Sequence, residues 1–166
     1  MSIFYDKIEE ICKKHKRVAM FVDMDGTIVE YHIYKDGELT TKTKGKFLNG
    51  KPLTVVLNNL EEISHIPNID IYILSLSKSD IIVEEKKQWL RKNVNFIEEK
   101  NWIIINKEKG EYTPENREHI KTDKIKEKLL EYDYVIFLDD EHKLLRNAQK
   151  ELDGKASVYH VSSAMI

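Results

Sequence analysis

Residues 18–22 form an unbroken apolar run, Val-Ala-Met-Phe-Val, that stops abruptly at Asp23. A strand that is apolar on both faces must be covered on both, which is the condition of a parallel sheet with helices above and below. Similar short runs recur at 69–74, 102–105, 134–138 and 157–161. Between them, 53–65, 80–93, 122–132 and 141–151 carry apolar residues at helical spacing. Residues 2–16 do the same through Ile3, Phe4, Ile8, Ile11 and Cys12. Strands alternating with helices predict a doubly wound, Rossmann-like α/β fold with a parallel sheet of about five strands. A length of 166 residues suits one such unit, residues 1–166.

Residues 28–52 break the alternation. They contain Asp36-Gly37, Asn49-Gly50 and five lysines but no helical pattern. Asp36-Gly37 between Ile33/Tyr34 and Leu39 reads as a hairpin turn. The segment is either a solvated loop or a small cap over whatever site the first strand carries, because it follows that strand's acidic end directly.

Composition narrows the classes. Lys and Arg number 27 and Asp and Glu 29, a formal charge of −2, which argues against a general nucleic-acid coat. The single cysteine, Cys12, cannot form an internal disulfide, and no secretory signal is evident, so a cytoplasmic setting is expected. The longest apolar runs are far short of the roughly 20 residues that cross a bilayer. No membrane association and no obligate protein partner is expected.

Polar residues at the ends of these runs carry the chemistry. The first run leads into Asp23-Met24-Asp25-Gly26-Thr27, the second into Ser75 with Ser77 beyond, and a later one into Asp139-Asp140. In open parallel sheets, ligands bind outside the carboxyl ends of the strands, near the point where strand order reverses. If these strands are neighbours, four carboxylates and a hydroxyl meet on one rim. Such a group is stable only with a cation or shifted protonation. Oxygen-only donors suit a hard ion, and Mg²⁺ that keeps exchangeable waters suits a phosphate. Asp23 can attack phosphorus, Asp25 can protonate the leaving oxygen and then activate water, and Gly26 lets the backbone turn beside a ligand. Each motif alone has a plainer reading: a turn and cap for Asp25-Gly26-Thr27, a helix cap for Asp139-Asp140, and an ordinary strand hydroxyl for Ser75. His15, His65, His119, His142 and His160 lack metal-ligand spacing and read as surface or packing residues, and Trp89 and Trp102 as core.

Asp23-Met24-Asp25-Gly26-Thr27 after an apolar strand resembles the first motif of the haloacid dehalogenase (HAD) superfamily. Ser75 resembles its second motif and Asp139-Asp140 its fourth, so the likeness spans nearly the whole chain. The resemblance implies a Mg²⁺-dependent phosphomonoesterase working through an aspartyl-phosphate. Asp23 would then be nucleophile and metal ligand, and Asp25 acid/base and a ligand through its carbonyl. Ser75 would hold the phosphate, and Asp139 and Asp140 would complete the metal site. The acid at position 25 is what phosphatase members have. The superfamily's phosphate-binding lysine has two candidates. Lys121 stands at a helix start with Thr122 or Asp123 as a cap. Lys86 also reads as a solvated lysine in the run Glu84-Glu85-Lys86-Lys87.

Lys86-Lys87-Gln88-Trp89 resembles a deoxyribonucleotidase pattern, and Lys121-Thr122-Asp123-Lys124 the phosphatase half of polynucleotide kinases, which implies a nucleotide or nucleic-acid end as substrate. Transfer to an acceptor other than water is compatible with the same motifs. A receiver domain, a regulatory phosphate-accepting fold, fits less well, because its acidic pair follows the first strand and its phosphorylated Asp the third.

Overall fold

The computed structural model describes residues 1–30, 45 and 47–166. The Asp36-Gly37 turn expected in the insertion lies outside the described residues. Five strands form one parallel sheet: β1 (Val18–Val22), β2 (Ile69–Ser77), β3 (Trp102–Asn106), β4 (Tyr134–Asp139) and β5 (Ala156–His160), in the order β3-β2-β1-β4-β5. The helices are α1 (Ile3–Lys14), α2 (Thr54–Ile63), α3 (Asp80–Asn93), α4 (Ile120–Lys128) and α5 (His142–Glu151).

All five residues of β1 are buried, and their alternation separates two cores. Val18, Met20 and Val22 face a cluster that holds Phe4 and Ile8 of α1, Val56 and Leu60 of α2, and Trp89 and Leu90 of α3. Ala19 and Phe21 face the opposite cluster, with Ile125 of α4 and Leu144, Leu145 and Ala148 of α5. Each large apolar side chain enclosed this way contributes about 1.5–3 kcal/mol. The helices that follow β1 and β2 thus cover one face, and those that follow β3 and β4 the other. The chain runs outward from β1 through β2 to β3, then crosses to β4 and β5 on the other side. That reversal leaves a crevice above the adjacent carboxyl ends of β1 and β4, the place where such sheets bind ligands.

Several boundaries differ from the sequence expectation by a few residues, and those of β2, α4 and α5 bear on the site. β2 runs on to Ser77 because Ser75, Leu76 and Ser77 still pair with Ile104, Ile105 and Asn106 of β3; a polar side chain does not end a backbone ladder. Ser75 is therefore inside a strand rather than at its end, although it lies two residues beyond Ile73, the last partner of β1. α4 begins at Ile120 and ends at Lys128. Its N-cap is His119, so Thr122 and Asp123 are not caps, and the Thr122 hydroxyl instead meets Asn147 Oδ1 at 3.0 Å. α5 starts one residue later than expected, with Glu141 as its N-cap.

Candidate active site

The turn after β1 is built around one carbonyl. The amides of Thr27, Ile28 and Val29 donate to Met24 O at 3.0, 3.0 and 3.3 Å, and Gly26 N donates to Val29 O at 2.8 Å. Gly26 has φ +80°, a conformation that costs glycine little and other residues more. The fold of this turn puts the Thr27 hydroxyl 3.2 Å from Asp23 Oδ2, with Thr27 fully buried. Asp23 N donates to Leu138 O at 3.0 Å, which locks the end of β1 to β4. The side chain of Asp23 thus leaves the crevice floor in a fixed plane.

Across the crevice, Asp139 is completely buried and accepts Glu141 N at 2.9 Å. Lys121, in the first turn of α4, reaches between the two acids. Its Nζ donates to Asp23 Oδ1 at 2.8 Å and to Asp139 Oδ2 at 2.7 Å, and the residue is buried. Burial works against the ammonium, but Asp23 and Asp139 outweigh it and hold the group above the usual lysine range. An ammonium has three protons, and two are committed to these acids. Burial pushes the Asp23 carboxyl up, Lys121 draws it back, and the charge of Asp139 adds to the rise. Half-buried Asp140 is pushed up from 3.8 to about 8, first by burial and then by Asp23.

Carboxylate oxygens of Asp23, Asp139 and Asp140 lie within 4.8 Å of one another, the one such His/Cys/Asp/Glu group of three or more among the described residues. Oxygens bound to Mg²⁺ at about 2.0–2.1 Å sit roughly 3 Å apart when adjacent and roughly 4.2 Å when opposite. The donor set therefore fits a hard cation, and one would offset the burial and the mutual repulsion that raise Asp23 and Asp140.

The β1–β2 side holds a second cluster. Lys86 Nζ lies 3.0 Å from Asp25 Oδ2 and donates to Ser75 Oγ at 2.8 Å and Leu76 O at 2.7 Å. Lys86 is 1 % exposed, so its reading as a solvated helix lysine is overturned. The cause is the helix phase: with Trp89 buried at i+3, position 86 points at the sheet rather than at solvent. Asp25 is half-buried, and its carboxylate stands with Lys86, outside the three-acid group.

All seven expected site residues thus border one rim, Asp23, Lys121, Asp139 and Asp140 on its β4 side and Asp25, Lys86 and Ser75 on its β2 side. Three further residues were not foreseen. Thr27 was legible only as part of a motif. Glu85 accepts the backbone N–H groups of Gly45 and, at 3.3 Å, Phe47. The Phe47 ring centre lies 5.1 Å from Lys86 Nζ. Nothing in the charge run around Glu85 distinguishes it from its solvated neighbours. Of the described histidines, His15 stacks on Tyr134 and His142 on His160, as packing residues do.

No protein-family model matches the chain, and no curated protein matches its sequence. Solved structures do match. The HAD domain of the effector protein Lem4 from Legionella pneumophila superposes with a TM-score of 0.56 at 17 % identity, covering 87 % of each chain. A chain of the Pnkp1/Rnl/Hen1 complex superposes with a TM-score of 0.55 at 18 % identity, covering 86 % of this chain and 46 % of that one. At these identities the likeness speaks for the fold, and the fold is HAD-like: a five-stranded parallel sheet with flanking helices.

Proposed function

We propose, from this HAD-like fold and its acidic rim, that the chain is a Mg²⁺-dependent phosphomonoesterase that works through a phosphorylated Asp23. The observation that carries the reading is Lys121 bridging Asp23 and Asp139 in a buried crevice with Asp140 beside them. Neither a turn nor a helix cap needs that arrangement. A buried lysine shared by two acids, with a third acid raised nearby, suits a site that must accept both a cation and a phosphate dianion.

In the proposed mechanism an Asp23 carboxylate oxygen attacks phosphorus while the bond from phosphorus to the ester oxygen breaks. Lys121 and Thr27 hold that carboxylate in one plane. Asp25 gives its proton to the departing oxygen, then takes one from water as water attacks the phosphorus and frees Asp23. Ser75 offers its hydroxyl to a phosphoryl oxygen, and the remaining Lys121 proton offers a second contact. Asp23, Asp139 and Asp140, with the carbonyl of Asp25, would hold the metal, which when bound offsets the charge of phosphate and carboxylates together.

The proposed catalytic unit spans 1–166, with 28–52 as a small cap and a cytoplasmic setting. The substrate class we favour is a nucleotide or a nucleic-acid end, supported by the patterns at 86–89 and 121–124 and by the place of Lys86 and Lys121 in the site. A panel of phosphomonoesters offered with Mg²⁺ and with a chelator tests the reading. Phosphate release that needs Mg²⁺ and prefers nucleotides or oligonucleotide ends is expected. Equal release in excess chelator would contradict the metal role, and no release from any ester the activity itself.

A further inference from the structure

Lys86 has three ammonium protons and three acceptors around it: Ser75 Oγ at 2.8 Å, Leu76 O at 2.7 Å and Asp25 Oδ2 at 3.0 Å. The face of Phe47 lies against the same ammonium, 5.1 Å from its ring centre, within the range where a cation and a ring attract. Phe47 belongs to the returning limb of the 28–52 insertion, and that limb is fastened to α3. Buried Glu85, the residue before Lys86, accepts both Gly45 N and Phe47 N. One turn further along the helix, Trp89 Nε1 donates to Gly50 O at 2.8 Å. Gly50 is packed so closely that an added Cβ would come within 2.4 Å of Val29 Cγ2. The limb is therefore a fitted piece, and its attachment points on α3 are Glu85, the residue before Lys86, and Trp89, three residues after it.

We infer that Glu85 is a positioning residue that clasps the returning limb to α3, sets Phe47 over the Lys86 ammonium, and so keeps Lys86 engaged with Asp25 and Ser75. The inference rests on the proposed phosphatase reading for its kinetic consequence but not for its physical one. A carboxylate can accept two backbone N–H groups at once, one on each oxygen, and two charge-assisted bonds resist fraying of the limb. With Phe47 in place, water is kept from Lys86 on that side and the ammonium has no competing acceptor. With the limb loose, water competes for its protons and the Asp25 carboxyl group, held through Oδ2, loses its fixed orientation. That loss falls on the step in which Asp25 gives a proton to the leaving oxygen, so it matters for an alkyl alcohol and much less for an aryloxide.

Two variants and two readouts test this. Glu85→Ala removes the clasp, and Phe47→Ala removes the cover while leaving α3 intact, so an unfolded Glu85→Ala protein would not end the test. The first readout is hydrogen exchange of the Lys86 ammonium, followed by NMR on protein with ¹⁵N-labelled lysine. Slow exchange is expected in the wild type and faster exchange in each folded variant. The second is kcat/KM on an alkyl and an aryl phosphate with Mg²⁺. A loss of roughly 10-fold or more is expected on the alkyl ester, against a smaller loss on the aryl ester. Glu85→Gln, which keeps one acceptor oxygen, should fall between Glu85→Ala and wild type. Unchanged Lys86 exchange in folded variants overturns the clasp whether or not the protein is a phosphatase. Equal losses on the two esters overturn its link to Asp25. Wild-type protein inactive on both esters would count against the proposed function, and the exchange measurement would still decide the clasp.

Discussion

Among the described residues, the ammonium groups of Lys121 and Lys86 face the rim, and they are committed differently. Lys121 spends two protons on Asp23 and Asp139, whereas Lys86 spends three on Ser75, Leu76 and Asp25. The remaining Lys121 proton is the one available to a phosphoryl oxygen, so Lys121→Met should lower kcat/KM by roughly 100-fold or more on every substrate. Removing Lys86 acts through its partners. Lys86→Met should hurt an alkyl phosphate more than an aryl phosphate, since it removes the ion pair that Lys86 makes with the Asp25 carboxyl group. Steady-state kinetics on the two esters separate the cases; a uniform loss from Lys86→Met would make it a phosphate ligand instead. Asp25→Asn should share the Lys86 signature, with general acid help typically about 100- to 10,000-fold for a poor leaving group.

At the scale of elements, the limb 47–52 and helix α3 meet at Gly50. Gly50→Ala would press a methyl group against Val29, a stiff β-branched side chain in the core, and should cost about 1–3 kcal/mol. Urea unfolding of the variant checks this, and a stability equal to wild type would mean that the limb moves freely. The strands were legible because each apolar run had to be covered on both faces and so excluded polar residues until it reached the rim. Their order was not, because pairing β1 with both β2 and β4 is fixed by packing across the sheet and leaves no mark in any one run. β2 also outran its apolar pattern, since Ser75 and Ser77 pair through their backbones. The acids of the site stood out because carboxylates are out of place at the ends of buried strands. Lys86 and Glu85 did not, because a buried lysine and a buried glutamate in a charged helix differ from solvated ones only by their phase against the sheet.

For the molecule as a whole, the acidic rim sets a dependence of stability on pH. The Asp140 carboxyl rises from 3.8 to about 8, so between those values the native protein keeps a proton that the unfolded chain has released. Stability of the metal-free protein should therefore fall as pH rises from about 5 to about 8, the opposite of the usual trend for a paired carboxylate. Each kcal/mol lost lowers Tm by about 2–4 °C at a size near this one. Asp140→Asn should flatten the slope, and Mg²⁺ should raise Tm more at pH 8 than at pH 5.5, where protons compete for the same oxygens. Thermal melts in chelator and in Mg²⁺ test both; a wild-type Tm that climbs across this window without metal would contradict the coupling. Among the described residues no helix is long and apolar enough to cross a membrane. The central claim is that Asp23 carries the phosphoryl group, and the direct test is to trap it there. Protein quenched during turnover and treated with borohydride should yield a peptide in which Asp23 has been reduced to homoserine, and Asp23→Asn should yield none and lose turnover by roughly 1000-fold or more. Reduction at another acid, or an Asp23→Asn protein that still turns over near the wild-type rate, would contradict the account.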